Sequence, residues 1–139
     1  MAYTSGDGVD ITLSASGDMD ANQYRFMSGA SVGGLRGRFQ LATGGSGPAP
    51  IGVLQNDPKN LGAGSIRVSG ITKLAVNADT AINANDFLTS NSVGHGIVTS
   101  TAGSNPYQAQ ALEDVVSGSG VIISALLIPG GTVHADNTP

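Results

Sequence analysis

The chain has 139 residues, no cysteine, 21 glycines, only 12% charged residues and a formal net charge of −4. That length fits one domain burying about two-thirds of its unfolded surface, and the lack of cysteine excludes a disulfide framework and a thiolate metal site. With charge far below the roughly 25% of an ordinary soluble domain, the surface must be built from Ser, Thr, Asn, Gly and Ala, which suits a protein that works assembled.

Residues 1–22 are acidic and glycine-dotted, with one alternating stretch, Val9-Asp10-Ile11-Thr12-Leu13. Alternation of this kind is the signature of a strand with one buried face, and a lone strand needs a partner sheet. Residues 1–22 are therefore expected to form an N-terminal arm that pairs with its own body or adds a strand to a neighbour. A body over 23–130 follows. Tyr24-Arg25-Phe26-Met27 and Leu35-Arg36-Gly37-Arg38-Phe39-Gln40-Leu41 read as strands around a Gly-rich link, and Gly44 to Pro50 as a loop, since proline cannot donate to a ladder.

The next stretch organises the chain. Ile51-Gly52-Val53-Leu54-Gln55-Asn56-Asp57, a short bend and Gly64-Ser65-Ile66-Arg67-Val68-Ser69-Gly70-Ile71 read as a hairpin continuing to Val76. Ile66 and Val68 are expected to face the core, with Arg67 and Ser69 on a wet face. Residues 79–89 read as turn, short strand, turn, and Ile97-Val98-Thr99 as another half-buried strand. A weaker echo of the hairpin, Ala109 to Asp114 followed by Gly118 to Ile123, closes the body near Pro129-Gly130. Residues 131–139 are expected to be a flexible tail. The expected fold is thus all-β, a small β-barrel or β-sandwich body with an extended N-terminal arm. Its expected core is Val53, Leu54, Ile66, Val68, Ile71, Leu74, Ile97, Leu112, Ile122 and Leu126.

All six cations (Arg25, Arg36, Arg38, Lys59, Arg67 and Lys73) lie between residues 25 and 73, where the only acid is Asp57. Either these charges mix with the flanking acids on the folded surface, or they provide complementarity between neighbouring subunits. Six scattered cations without interleaved aromatics are a poor nucleic-acid footprint. The longest apolar run, Val121 to Pro129 interrupted by Ser124, falls short of the roughly 20 residues a membrane span needs. The first residues lack the basic start and apolar stretch of a secretory signal, so the protein is expected to fold where it is made.

Motifs that could carry chemistry are incomplete. Gly29-Ala30-Ser31-Val32-Gly33 spells a nucleophile elbow, but the helix that must follow is replaced by Gly34-Leu35-Arg36-Gly37. Asp18-Met19-Asp20-Ala21-Asn22 starts like a calcium loop, yet the sixth and twelfth positions are Gln23 and Gly29 instead of Gly and Glu. A weak surface cation on Asp18 and Asp20 is the residual possibility. His95, between two glycines, and His134 lack the partners of a zinc site. Gly62-Ala63-Gly64 is neither a P-loop nor a dinucleotide fingerprint, and Glu113 and Asp114, adjacent on a strand, would face opposite sides. No catalytic, metal-binding or cofactor-binding residue is assigned, and the chain is not expected to be an enzyme.

Together the segments Ile51 to Asp57, Ile66 to Lys73, Ala81-Ile82, Asp86 to Thr89, Gly94 to Ile97, Ala109 to Glu113 and Gly120 to Ile123 resemble the capsid cement, or head decoration, proteins of tailed bacteriophages. The resemblance spans roughly residues 23–130. Where the family pattern has Gly before the turn Asp, this chain has Asn85-Asp86, and Asn is the next best residue for a positive φ. The acidic N-terminal segment is also longer than the pattern. The resemblance implies a small β-rich structural protein, made in the host cytoplasm, that binds the outer surface of an icosahedral capsid and reinforces it. It also implies the major capsid protein and copies of itself, as a homotrimer, as partners, with no nucleic acid and no membrane. Candidate assembly residues are Val9, Ile11 and Leu13 on the arm, with Arg25, Arg36 and Arg38. The alternatives are a non-catalytic binding module of a virion tail or surface, which should expose aromatics where this Trp-free chain has only three Tyr and three Phe, and a small serine hydrolase around Ser31.

Overall fold

The computed structural model describes residues 8–30, 37–44, 48–99 and 106–132. Ser31, Arg36, His134 and nearly all of the expected tail lie outside them. The described residues form nine strands and no helix: β1 (Gly8–Ala15), β2 (Phe26–Gly29), β3 (Arg38–Leu41), β4 (Pro50–Leu54), β5 (Ala63–Ala78), β6 (Phe87–Ser90), β7 (Gly96–Val98), β8 (Pro106–Ala111) and β9 (Gly118–Thr132). The protein is all-β, as its alternating segments dictate.

The pairings close two circuits of five strands. One runs β1-β3-β2-β4-β5 and back to β1; the other runs β5-β7-β6-β8-β9 and back to β5. β5, sixteen residues long, belongs to both. Its first half pairs with β1 over Ala63 to Gly70, and its second half with β9 over Gly70 to Ala78. Gly70 is where they meet, paired with both Gly8 and Leu127 at a φ of +94° that a side chain rarely adopts.

Each circuit has its own core. Ala15, Met19, Met27, Phe39, Leu54 and Ile66 fill the first. The larger second core includes Leu74, Val76, Ile82, Leu88, Ile123 and Leu127, and also takes Phe26 from β2 and Val53 from β4. Successive strand residues point to opposite faces, so β2 sends Phe26 to one core and Met27 to the other, and β4 divides Val53 and Leu54 in the same way. These two strands are a partition buried on both sides. That is why their apolar residues stand in adjacent pairs instead of alternating.

The two hairpins seen in the sequence are β4–β5 and β8–β9. In each, a polar residue after the Leu staples the returning strand. Asn56 Oδ1 accepts the Ser65 N–H at 3.0 Å and its amide donates to the Ala63 carbonyl at 3.1 Å; in the second hairpin Glu113 Oε2 accepts the Ser124 N–H at 2.6 Å. Asn85 has the positive φ, +80°, that its turn requires. Phe87 to Thr89, expected to lead into a turn, instead starts β6, while Ile82 makes a single bridge to Val115.

Four core expectations hold fully: Val53, Leu54, Ile66 and Leu74 are buried. Val68, Ile71 and Ile97 are half-buried. Leu112, Ile122 and Leu126 are corrected, at 37%, 45% and 36% exposure. β9 is apolar on both faces, and the circuit closes with Ile123, Ala125 and Leu127 inward. Arg67 is also corrected: it is 3% exposed and not on a wet face, because β1 lies alongside it.

Candidate assembly surfaces

The segment read as an arm is, in this structure, β1 of the chain's own sheet. It runs antiparallel to β5 over seven register positions, with a bulge between Val9 and Asp10, and meets β3 in parallel at Ser14 and Ala15. Exposure falls along it, from Val9 at 57% to Ile11 at 38% and then to Leu13, which packs on the first core. Arg38, at the start of β3, pairs with Ser14, one residue beyond Leu13. Arg25 stands elsewhere, its Nη1 donating to the Val93 carbonyl at 3.2 Å. The pairings thus place Arg38 beside the end of β1 and hold Arg25 at the 91–95 turn.

A buried ion pair fastens β1. Arg67 Nε donates to Asp10 Oδ1 at 2.8 Å, Nη2 to Oδ2 at 3.3 Å and Nη1 to the Ile71 carbonyl at 2.9 Å. Two parallel bonds to one carboxylate are the geometry guanidinium favours. The Arg67 side chain is 4% exposed and that of Asp10 35%, so removing the acid takes the neutralising carboxylate from a buried cation that keeps its bond to the Ile71 carbonyl. Asp10→Ala is expected to cost about 3 kcal/mol, the low end for breaking a buried pair because water reaches the site from the Asp10 side. Adding Arg67→Met should recover most of the loss, measured as the denaturation midpoint; a double variant no better than the single one would contradict this.

The loop after β1 is docked in the same way. Lys59 Nζ donates to Asp20 Oδ2 at 2.8 Å and the Asn60 N–H to Asp18 Oδ1 at 2.8 Å, while the Met19 N–H reaches the Pro58 carbonyl at 2.9 Å. The hydrogen bond and charge of Lys59 hold the Asp20 carboxyl below its usual range. Both acids considered for a surface cation are thus engaged with the 58–60 turn. Among the described residues, no three His, Asp or Glu side chains gather where they could hold a metal ion. The N-terminal acids Asp10 and Asp20 mix with the cations of the middle segment. The second circuit and its loops carry Lys73 together with Asp79, Asp86, Glu113 and Asp114, and the Lys73 Nζ lies over the Tyr24 ring, 5.7 Å from its centroid.

His95 is 7% exposed, and its Nδ1 is buried without a hydrogen-bond partner. Burial first, and then the Arg25 guanidinium, push its imidazole below the ordinary value of 6.5. The unfolded chain therefore takes up this proton before the folded one does. The stability contribution is complete above about pH 6.5 and is lost as pH falls toward the folded value. Between pH 7.5 and 5, the wild type should lose more of its denaturation midpoint than His95→Gln; parallel profiles would contradict the assignment.

A cleft of about 190 Å³ lined by Asn77, Asp79, Thr80, Ile97 and Val98 opens where β5 and β7 share only the pair Val76 and Gly96. It holds a single carboxylate with no base or second acid among those residues. On the outer wall of the second circuit Phe87, Leu112, Ile122 and Leu126 are exposed. Sequence reading missed this surface because it assigned three of these residues to the core.

Among the described residues the chain is an all-β body of two joined five-stranded circuits, and its fold is similar to that of a bacteriophage head fiber base. The N base of head fiber gp8.5 of bacteriophage phi29 matches it with a TM-score of 0.61 at 18% identity, covering 89% of this chain and 96% of that one. No protein-family model matches the chain, and no curated protein matches it.

Proposed function

We propose that this chain is a non-catalytic structural protein of a phage head that binds the outer surface of the icosahedral capsid and stabilises the shell, acting as a homotrimer with the major capsid protein as its partner. The observation that carries the reading is the fold itself, alike over nearly the whole length of this chain and of the phi29 head fiber base. The physical properties suit the task. A reinforcing protein needs a stiff body and a surface for self-association; two packed cores and an apolar outer wall supply these. A ligand that binds only the intact shell raises the shell's apparent stability by mass action, and several linked contacts multiply affinity by about 10²–10⁴ over one.

The test uses capsid shells of the phage that encodes the chain, prepared without it. The purified protein should co-sediment with those shells and raise the temperature at which they fail. Absence from the shell fraction, or an unchanged failure temperature at saturation, would overturn the proposal.

A further inference from the structure

β5 and β7 run parallel but share only the pair Val76 and Gly96. Beyond that pair they part, and the gap is the cleft of about 190 Å³ lined by Asn77, Asp79, Thr80, Ile97 and Val98. A bulge lies at the same level: Val76 pairs with Val121 and Asn77 with Ser119, so Gly120 of β9 is an extra residue, at a φ of +74°. An extra residue of this kind sharpens the local twist and re-aims the side chains beside it. One wall of the cleft is the end of β5 with the turn after it, and the other is β7. Asn77 Oδ1 accepts the Asp79 N–H at 3.2 Å, which holds the turn, and Val98 packs on the second core, which holds the opposite wall.

The cleft holds an acid that the fold itself does not use. Asp10 and Asp20 face Arg67 and Lys59, while Asp86, Glu113 and Asp114 accept the Asn83, Ser124 and Ala84 N–H groups. Among the described residues the Asp79 carboxylate has neither an ion pair nor a hydrogen-bond partner. Lys73, the nearest cation in the sequence, lies over the Tyr24 ring instead. Beside Asp79 the lining supplies the Asn77 amide oxygen, the Thr80 hydroxyl and the half-buried Ile97 and Val98. An amide oxygen has two lone pairs, of which the Asp79 N–H takes one. A carboxylate next to an apolar wall is the complement of a cation carried on an aliphatic stem. A lysine ammonium brings three donors, and the cleft offers three acceptor groups; a guanidinium spreads five donors in one plane and would leave some unmet in a site with a single acid.

We infer that this cleft is a binding site for a lysine side chain of a partner protein, with the ammonium held by Asp79, Asn77 and Thr80 and the methylenes laid on Ile97 and Val98. The inference goes beyond the proposed function and needs no capsid, because it names a side chain and is tested with that side chain alone. The single acid also sets the selectivity. A diamine such as putrescine would bring a second ammonium with no carboxylate to meet it, so it should bind no better than lysine.

Amide NMR of the isotope-labelled protein, titrated at constant ionic strength with Nα-acetyl-lysine methylamide, reads the site. Shifts should centre on Asn77, Asp79, Thr80, Ile97 and Val98 and saturate with a Kd on the order of 10 mM, as suits one ammonium on a short stem. Asp79→Asn should weaken binding about tenfold through loss of the charge-assisted contact, with the rest of its spectrum unchanged. Asp57→Asn, outside the cleft, should leave the Kd as it is. Nα-acetyl-norleucine methylamide, the same stem without the ammonium, should produce no saturating shift. The inference is overturned by the absence of saturation up to about 100 mM, by equal binding to Asp79→Asn, by equal binding of the norleucine compound, or by shifts as large around Asp86, Glu113 and Asp114. Tighter binding of putrescine would overturn it as well, making the cleft a diamine site.

Discussion

Deleting residues 2–20 is expected to leave a chain that does not fold. The deletion removes β1, and with it Leu13, Ala15 and Met19 from the first core, the seven paired positions along β5, and the Asp10 carboxylate from the buried Arg67. With β1 gone Arg67 meets water, so the loss is the backbone pairing along β5 and the burial of the core side chains, about 1.5–3 kcal/mol for one the size of Met19 alone. Against the roughly 5–15 kcal/mol of net stability typical of a domain, the first circuit cannot remain closed. Circular dichroism and limited proteolysis read the result: the truncated protein should lose its cooperative thermal transition and be cut throughout. A truncated protein that melts cooperatively and resists protease would show that residues 2–20 are a detachable arm.

Phe39→Ala should be the most damaging single core substitution, costing about 3–5 kcal/mol in urea unfolding. The side chain is fully buried, and its ring lies against Gly64, where an added Cβ would come within 2.3 Å of it. The absence of a side chain at Gly64 is thus what makes room for the ring. The reciprocal variant, Gly64→Ala, fills space already occupied and should cost about 1–3 kcal/mol through overpacking. A loss below about 1 kcal/mol for Phe39→Ala would mean that the first core can collapse around the gap.

The strands and their hairpins were readable in the sequence because period-two alternation and Gly, Asn and Pro punctuation are local signals. The number of cores was not. Phe26-Met27 and Val53-Leu54 are adjacent apolar pairs that a single-core reading cannot divide, and only the closure of two circuits assigns each residue its side. β9 failed for the same reason in reverse. Val121-Ile122-Ile123 and Leu126-Leu127 offer apolar residues on both faces, so the pattern says nothing of which face is inward, and Ile122 and Leu126 were placed in the core that Ile123 and Leu127 occupy. The burial of Arg67 depends on Asp10, 57 residues earlier in the chain, and no local pattern could reveal that pairing. Of the candidate assembly residues, Val9, Ile11, Leu13 and Arg38 lie on adjacent strands, whereas the apolar wall around Lys73 emerged only from the register between β5 and β9.

The central claim is that this body sits on the outside of a phage head. Cryo-electron microscopy of purified particles from the phage that encodes the chain tests it most directly. The account predicts density for the two joined five-stranded circuits on the outer capsid surface, arranged around a symmetry axis. Particles whose outer surface lacks that density, or that carry the chain only in the tail or the interior, would contradict it.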